Sequence, residues 1–293
     1  MNMYEQYKGL LFRLAYQLTG SAADAEDAVH DVFVKVQTIE PQRLTEPKAY
    51  LCKMVTNRCL DQLRAARTRR EQYVGPWLPE PIATGEEEGY DSVARRDLLS
   101  YALLVLLERL SPAERAVFVL KEALGFDYSA IAELIDKSET NCRKLMSRAK
   151  GKMGISEDDL IGSDAVEEQW ASRFLAALAS GAVDTVLSML AEDAVLLSDG
   201  GGKVSAAIHP VVSGVRVAKF LLGISRKETS KGNGVFAVKP LPMNGQTGMA
   251  IWQNGRITGV AFTELKDGLA RSIYIVRNPD KLANVAGADA RQA

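Results

Sequence analysis

Lys137, Arg143, Lys144, Arg148, Lys150 and Lys152 crowd into residues 137–152, where the only acid is Glu139. At helical spacing Thr140, Asn141, Arg143, Lys144, Ser147 and Arg148 fall on one side of this stretch, with Cys142, Leu145 and Ala149 on the other. Side chains of these types do not break bonds; they hold phosphates and read base edges in a major groove. A second set, Lys53, Asn57, Arg64, Arg67 and Thr68, lines one helical face opposite Leu51, Met54 and Val55 and runs into "RAARTRR" at 64–70. Amides and guanidiniums on such a face suit phosphates and unstacked bases. A third candidate is "DGGGK" at 199–203. It is not a phosphate-binding loop of the G-x-x-x-x-G-K-[ST] kind: Leu197 stands five before Gly202, Val204 follows Lys203, and Pro210 interrupts the stretch beyond. What remains is a permissive connection whose glycines let another backbone approach closely.

Groups for covalent or metal chemistry are sparse. The chain has two histidines, His30 and His209, and three cysteines, Cys52, Cys59 and Cys142, with no CxxC pair. That argues against a disulfide framework and against zinc. His30 reads as surface decoration rather than a pH sensor. With 293 residues, 47% apolar and 25% charged, the chain has the length for two or three soluble domains. A net charge of −1 supplies no global pull toward nucleic acid, so affinity must come from the local clusters. No run of about 18 apolar residues and no signal-peptide pattern occurs, so a cytoplasmic protein is expected.

These residues need elements to position them. Residues 1–153 are helical in pattern. Leu10, Leu11, Leu14, Ala15 and Leu18 share a face up to Gly20, and Ser21 caps a helix with Ala28, Val29, Val32, Phe33 and Val36 inward. Pro47 opens the helix of the second cationic set. "SPAE" at 111–114 is a full start signal, with Ser111 as N-cap, Pro112 at N1 and Glu114 at N3. "YSAIAELI", "DKS" and "ETNCRKLMSRAKGKM" follow with helix-turn-helix spacing. Between the helical modules, residues 71–97 break the pattern with prolines, glycines and acids. Within them "WLPEPI" places Trp77, Leu78 and Ile82 on a proline-stiffened strip suited to docking. From 165 the pattern predicts two amphipathic helices, then strands broken by glycine turns and by one helix near 215–226. "KVSAAIHPV" reads as a strand and "QNGR" at 253–256 as a hairpin turn.

The motifs "GSAADAEDAVHDVFVKV", "AYLCKMVTNRCLDQLRAARTRR" and "LSPAERAVFVLKEALGFDYSAIAELIDKSETNCRKLMSRAKGKM" resemble, in order, the core-binding, promoter-melting and upstream-reading regions of extracytoplasmic-function (ECF) sigma factors. "WLPEP", "DGGGK" and "NPDKL" further resemble the subgroup with a fused SnoaL-like C-terminal domain. The resemblance implies two all-α sigma domains, the second a helix-turn-helix, plus an α+β cone. The expected boundaries are 1–70, a linker 71–97, 98–153, 165–285 for the cone, and a disordered tail at 286–293. It implies no catalysis: such proteins bind core RNA polymerase, direct it to promoters and help melt the −10 region. By resemblance, Asp24, Glu26, Asp27, Asp31 and Phe33 meet the polymerase clamp. Asn57, Arg58, Asp61 and Arg64 meet the −10 element, and Thr140, Asn141, Arg143, Lys144 and Arg148 read the −35 element. The resemblance also implies regulation in cis. A shared contact is expected to join Trp77 and Pro79 of the linker, the loop Asp199, Gly200, Gly201, Gly202 and Lys203, and the terminal Asn278, Pro279, Asp280 and Lys281.

Two other readings stand beside this one. One is a helix-turn-helix regulator with a ligand-sensing SnoaL-like domain, for which the acidic helix and the Asn57–Arg70 helix have no use. The other is a cone enzyme, for which Asp193, Asp199, His209 and Tyr274 form no convergent acid/base set. No cofactor or metal is expected. Phe220, Trp252, Phe262 and Tyr274 either line a pocket for a small-molecule ligand or form plain core.

Overall fold

The computed structural model describes residues 3–37, 39, 46–84, 100–154, 164–230 and 236–285. The acidic part of the linker, the polar bridge at 155–163 and the tail at 286–293 lie outside the described residues. Contacts divide the chain into two units, Met1–Gln72 with Glu86–Ile161, and Tyr73–Gly85 with Gly162–Ala293.

The first unit is helical: α1 (Met3–Thr19), α2 (Ala22–Val36), α3 (Pro47–Glu71), α4 (Tyr101–Leu107), α5 (Pro112–Phe118), α6 (Tyr128–Leu134) and α7 (Glu139–Met153). Its boundaries follow local chemistry. Gly20, at φ +69°, turns the chain out of α1, and the Ser21 hydroxyl accepts the Asp24 N–H to start α2. Asp127 and Ser138 cap α6 and α7 in the same way, and Gly154 at φ +66° ends α7. Leu11, Leu14, Leu18, Ala28, Val32, Leu51 and Val55 fill the core between α1, α2 and α3. Arg115 of α5 is 2% exposed; its Nε donates to the Gln17 carbonyl at the end of α1 (3.2 Å) and its Nη1 to Glu108.

The second unit contains α8 (Asp164–Ser180), α9 (Val183–Ser188), β1 (Leu190–Asp199), β2 (Val211–Val212), α10 (Gly214–Ser230), β3 (Phe236–Met243), β4 (Gln246–Gln253), β5 (Arg256–Lys266) and β6 (Leu269–Val276). The strands form one mixed sheet in the order β2-β1-β6-β5-β4-β3, parallel only between β1 and β6. Trp170, Phe174, Val186, Val217, Ala218 and Leu222 from the helices pack on one face of the sheet, against Leu196, Met249, Ile273 and Ile275. Strand alternation sends Leu197, Val260, Phe262, Tyr274 and Val276 to the opposite face. Phe262 and Tyr274 therefore do not share a pocket with Phe220, which packs in the helix-covered core. The strand expected over 203–211 is also corrected. Lys203 and Val204 donate to the Gly200 carbonyl in a tight turn, and only Val211 and Val212 pair with β1. The hairpin at 253–256 forms, with Asn254 and Gly255 both at positive φ.

Glu114 links a cap to a neighbouring helix. Its carboxylate accepts the Ser111 N–H (2.9 Å) and hydroxyl (2.8 Å) and the Lys152 ammonium (2.7 Å). Burial alone would raise its pKa, but Lys152 and the Ser111 donors together hold it below the usual carboxylate value. A depressed folded-state pKa gives stability that is present above the unfolded pKa and lost as pH falls through the folded one. Glu114→Gln should thus cost about 1–2 kcal/mol at pH 7. In urea titrations of both proteins, the difference should shrink toward zero as the pH falls below about 4.

Candidate functional site: cationic helices and a docked strap

In the helix-turn-helix, α6 and α7 are joined by a turn in which Asp136 adopts φ +52°. Ile131 and Leu134 pack under Cys142, Leu145, Met146 and Ala149, so the buried stripe of α7 is fixed. Thr140, Asn141, Arg143, Lys144 and Arg148 are all exposed on the remaining surface. Arg143 lies 4.5 Å from the Tyr128 ring centroid and pairs loosely with Glu139 at 3.4 Å. That orients the guanidinium without desolvating it, and the face is left open to an acceptor-rich partner.

On α3, Asp61 and Arg64 are exposed and pair with each other at 2.8 Å, and Asn57 is partly exposed. The side chains of Arg67 and Thr68 lie outside the described residues. Arg58 is engaged: its Nε donates to Asp31 of α2 at 2.9 Å. Lys53, on the same cationic face, bridges to Asp136 of the helix-turn-helix at 3.1 Å. On α2, Glu26 and Asp27 are exposed and Asp24 and Asp31 partly so. Phe33 is 8% exposed and packs edge-on against Tyr4, centroids 4.7 Å apart, while Val34 beside it is 50% exposed. As placed, Phe33 supports this surface from beneath instead of offering its ring to a partner. The buried thiols are no site: burial raises Cys52 to about 11 and Cys59 to about 12, so neither is a thiolate at neutral pH.

The second unit holds the third constellation. Asp199 ends β1 on the sheet face away from the helices and is 0% exposed. Its carboxylate accepts the Tyr73 hydroxyl (2.6 Å), the Leu78 N–H (2.9 Å), the Gly201 N–H (3.0 Å) and the Lys281 ammonium (2.7 Å). Lys281 also donates to the Leu78 carbonyl and sits 3.9 Å from the Trp77 ring centroid and 5.0 Å from that of Tyr73. Asn278 donates to the Tyr73 oxygen at 2.8 Å. Burial, then the hydrogen bond to Asp199 and its negative charge, push the Tyr73 phenol far above its usual value, so it stays a donor.

The linker residues 73–84 thus form a strap on the sheet domain, held at both ends. At the far end Ile82 donates to the Asn244 side chain (3.0 Å), Asn244 N–H to the Ile82 carbonyl (2.9 Å), and Thr84 N–H to Pro242 (3.0 Å). Leu78, Pro79 and Ile82 are buried. The structure brings together Trp77, Asp199, Gly201, Asn278 and Lys281, while Lys203 and Asp280 pair with each other on the exposed rim. The glycines have separate reasons. A Cβ at Gly200 would lie 2.5 Å from the Val204 carbonyl, one at Gly201 would collide with the Asn278 amide, and one at Gly202 would lie 3.2 Å from Val74. Sequence reasoning missed Tyr73 and Asn244. Tyr73 stands alone before the proline strip, whereas the "NG" pair at 244–245 is a legible turn signal.

Removing one member of a buried ion pair leaves the other uncompensated. Lys281→Met should destabilise the sheet domain by roughly 3–5 kcal/mol and Asp199→Asn by a similar amount. The double variant should cost much less than their sum, which a double-mutant cycle in urea followed by tryptophan fluorescence and circular dichroism checks.

Comparison with known proteins covers 95–96% of the chain. The Sigma-70 region 2 family matches residues 3–69 and the Sigma-70, region 4 family residues 100–153. The ECF RNA polymerase sigma factor SigJ of Mycobacterium tuberculosis is 32% identical over 95% of this chain and 91% of its own length. The probable ECF RNA polymerase sigma factor SigI of the same organism is 28% identical over 95% and 93%. The crystal structure of the Mycobacterium tuberculosis ECF sigma factor SigJ superposes with a TM-score of 0.77 at 29% identity, covering 96% of this chain and 97% of that one.

Proposed function

The chain belongs to the ECF RNA polymerase sigma factors, and on that premise we propose that its cone regulates it in cis through the docked strap. As a sigma factor it is not an enzyme; it binds core RNA polymerase and promoter DNA and initiates transcription at specific promoters. This sets aside the reading of a simple operator-binding regulator, which acts without polymerase.

The observation that carries cis regulation is the burial of linker backbone and side chains around Asp199. The linker joins the two helical modules, and its conformation sets how far apart they reach. Docking shortens the free tether, and release lengthens it, so the Asp199–Lys281 contact biases which promoter-bound geometry the modules adopt. Asp24, Glu26, Asp27 and Asp31 meet the clamp of core polymerase. Thr140, Asn141, Arg143, Lys144 and Arg148 read the −35 element, since all five are exposed on one helix of a helix-turn-helix. Asn57, Asp61 and Arg64 meet the −10 element as its strands separate. Arg58 joins them once Asp31 is drawn to the polymerase. A ligand in the cone is favoured by the buried indole N–H groups of Trp170 and Trp252, which have no acceptor among the described residues.

In run-off transcription with purified core polymerase, Gly201→Leu and a chain ending at residue 160 should each change product yield by roughly fivefold or more relative to the full chain. Unchanged yield from both removes cis regulation and leaves the sigma assignment intact. Asn57→Ala should leave core binding intact and lower permanganate reactivity of −10 thymines several-fold.

A further inference from the structure

Between Asp199 and Glu228 the sequence has no Asp or Glu, yet it carries Lys203, Arg216, Lys219, Arg226 and Lys227. Four of these lie on α10. The helix buries Val217, Ala218 and Leu222 against the cone core. Its other side exposes Val215, Arg216, Lys219, Gly223, Ile224, Arg226 and Lys227. Arg216, Lys219 and Arg226 form no ion pair among the described residues, in contrast to Lys203, Arg271 and Lys281 of the same domain, which do. Arg216, Lys219 and Arg226, with no acid between them in sequence, repel one another on this exposed face unless a polyanion neutralises them.

Gly223 is the second, independent observation. It sits in the middle of α10, where glycine weakens a helix by up to about 1 kcal/mol relative to alanine. No internal packing requires it, because a Cβ there would meet nothing within 4 Å. It lies on the ridge between Lys219 and Arg226, four residues after one and three before the other. A gap at that point lets an external backbone come close to the helix while cations flank it on both sides.

We propose that the outward face of α10 is a third DNA-contacting surface, which holds duplex phosphates without reading bases. Arg216 to Lys227 spans about 16 Å at 1.5 Å per residue, the axial length of about five phosphates of one strand. The duplex is the occupant because promoter DNA is what the family brings to this chain, and a phosphate strand matches a row of exposed cations at Arg216, Lys219 and Arg226 in charge and reach. The inference does not depend on the strap: α10 contributes nothing to the Asp199 cluster.

The test is binding of the full chain to a fluorescein-labelled duplex of random sequence, followed by anisotropy over a series of potassium chloride concentrations. Each phosphate that the protein ceases to neutralise lowers the slope of log K against log salt by about 0.9. The triple variant Arg216→Gln, Lys219→Gln, Arg226→Gln should reduce the slope by about 2 to 3, and Gly223→Glu should weaken binding in the same direction. Circular dichroism establishes that each variant is folded. A control triple, Arg173→Gln, Lys239→Gln, Arg256→Gln, removes the same charge elsewhere on the cone and should leave the slope nearly unchanged. Equal slopes for the α10 triple and the wild type, or an equal reduction in the control triple, would overturn the proposal. So would an unchanged duplex slope together with abolished retention on anionic phospholipid vesicles, which assigns the face to another polyanion.

Discussion

Asp199 has no access to water and four donors reach it from three separate parts of the chain. A buried carboxylate is tolerable only if fully compensated, and here the compensation comes from the linker, from its own glycine turn and from the residues after the last strand. If any of the three moves away, the carboxylate loses donors that compensate its burial, and the docked state loses stability. The arrangement makes the linker part of the cone's structure, although it joins two modules that belong to a different unit. Its apolar residues Leu78 and Ile82 have no comparable place to go when the strap is free, so hydrophobic burial and charge compensation favour the same docked state.

A similar dependence of one residue on another's position appears at the helices. Ser111, Asp127 and Ser138 each set the start of a helix in the Sigma-70 region 4 module, and the starts determine which side chains point outward. The cationic residues of α7 are exposed because Cys142, Leu145, Met146 and Ala149 are committed inward. On α2 and α3 the surfaces proposed for polymerase and for DNA meet in one ion pair, Asp31 with Arg58. If those proposals hold, neither residue acts on its partner while it holds the other.

Much of this was legible because periodicity and caps are local. The three-to-four spacing in residues 137–152, the Ser111 box and the Asn254–Gly255 turn each depend on a few neighbouring residues, and the helices and hairpin formed as read. What failed was non-local. Phe33 is inward by helical spacing, as the structure has it, while its place beside the acidic clamp-facing residues came from resemblance; the approach of Tyr4 from α1 shows what covers the ring. Phe262 and Tyr274 look like companions of Phe220, but sheet alternation places them on opposite sides. "KVSAAIHPV" has strand composition, yet the Gly200 turn consumes its first N–H groups. The meeting of Trp77, Asp199 and Lys281 was expected from the resemblance together with two costly features, an apolar strip in a linker and a triple glycine, that one close contact explains; no spacing rule links positions so far apart. Tyr73 escaped both, since a lone tyrosine carries no pattern.

The pairing of β1 with β6, and of Asp199 with Lys281, has a consequence for biosynthesis. The helical modules end at Met153, whereas the lysine that completes the strap's socket is made 128 residues later. At bacterial elongation rates that is an interval on the order of ten seconds. Throughout it a nascent chain carries both helical modules and an undocked linker. Until Lys281 emerges, Asp199 lacks its ammonium partner and the socket for the linker is incomplete, so the helical modules are synthesised well before the strap has a finished place to dock.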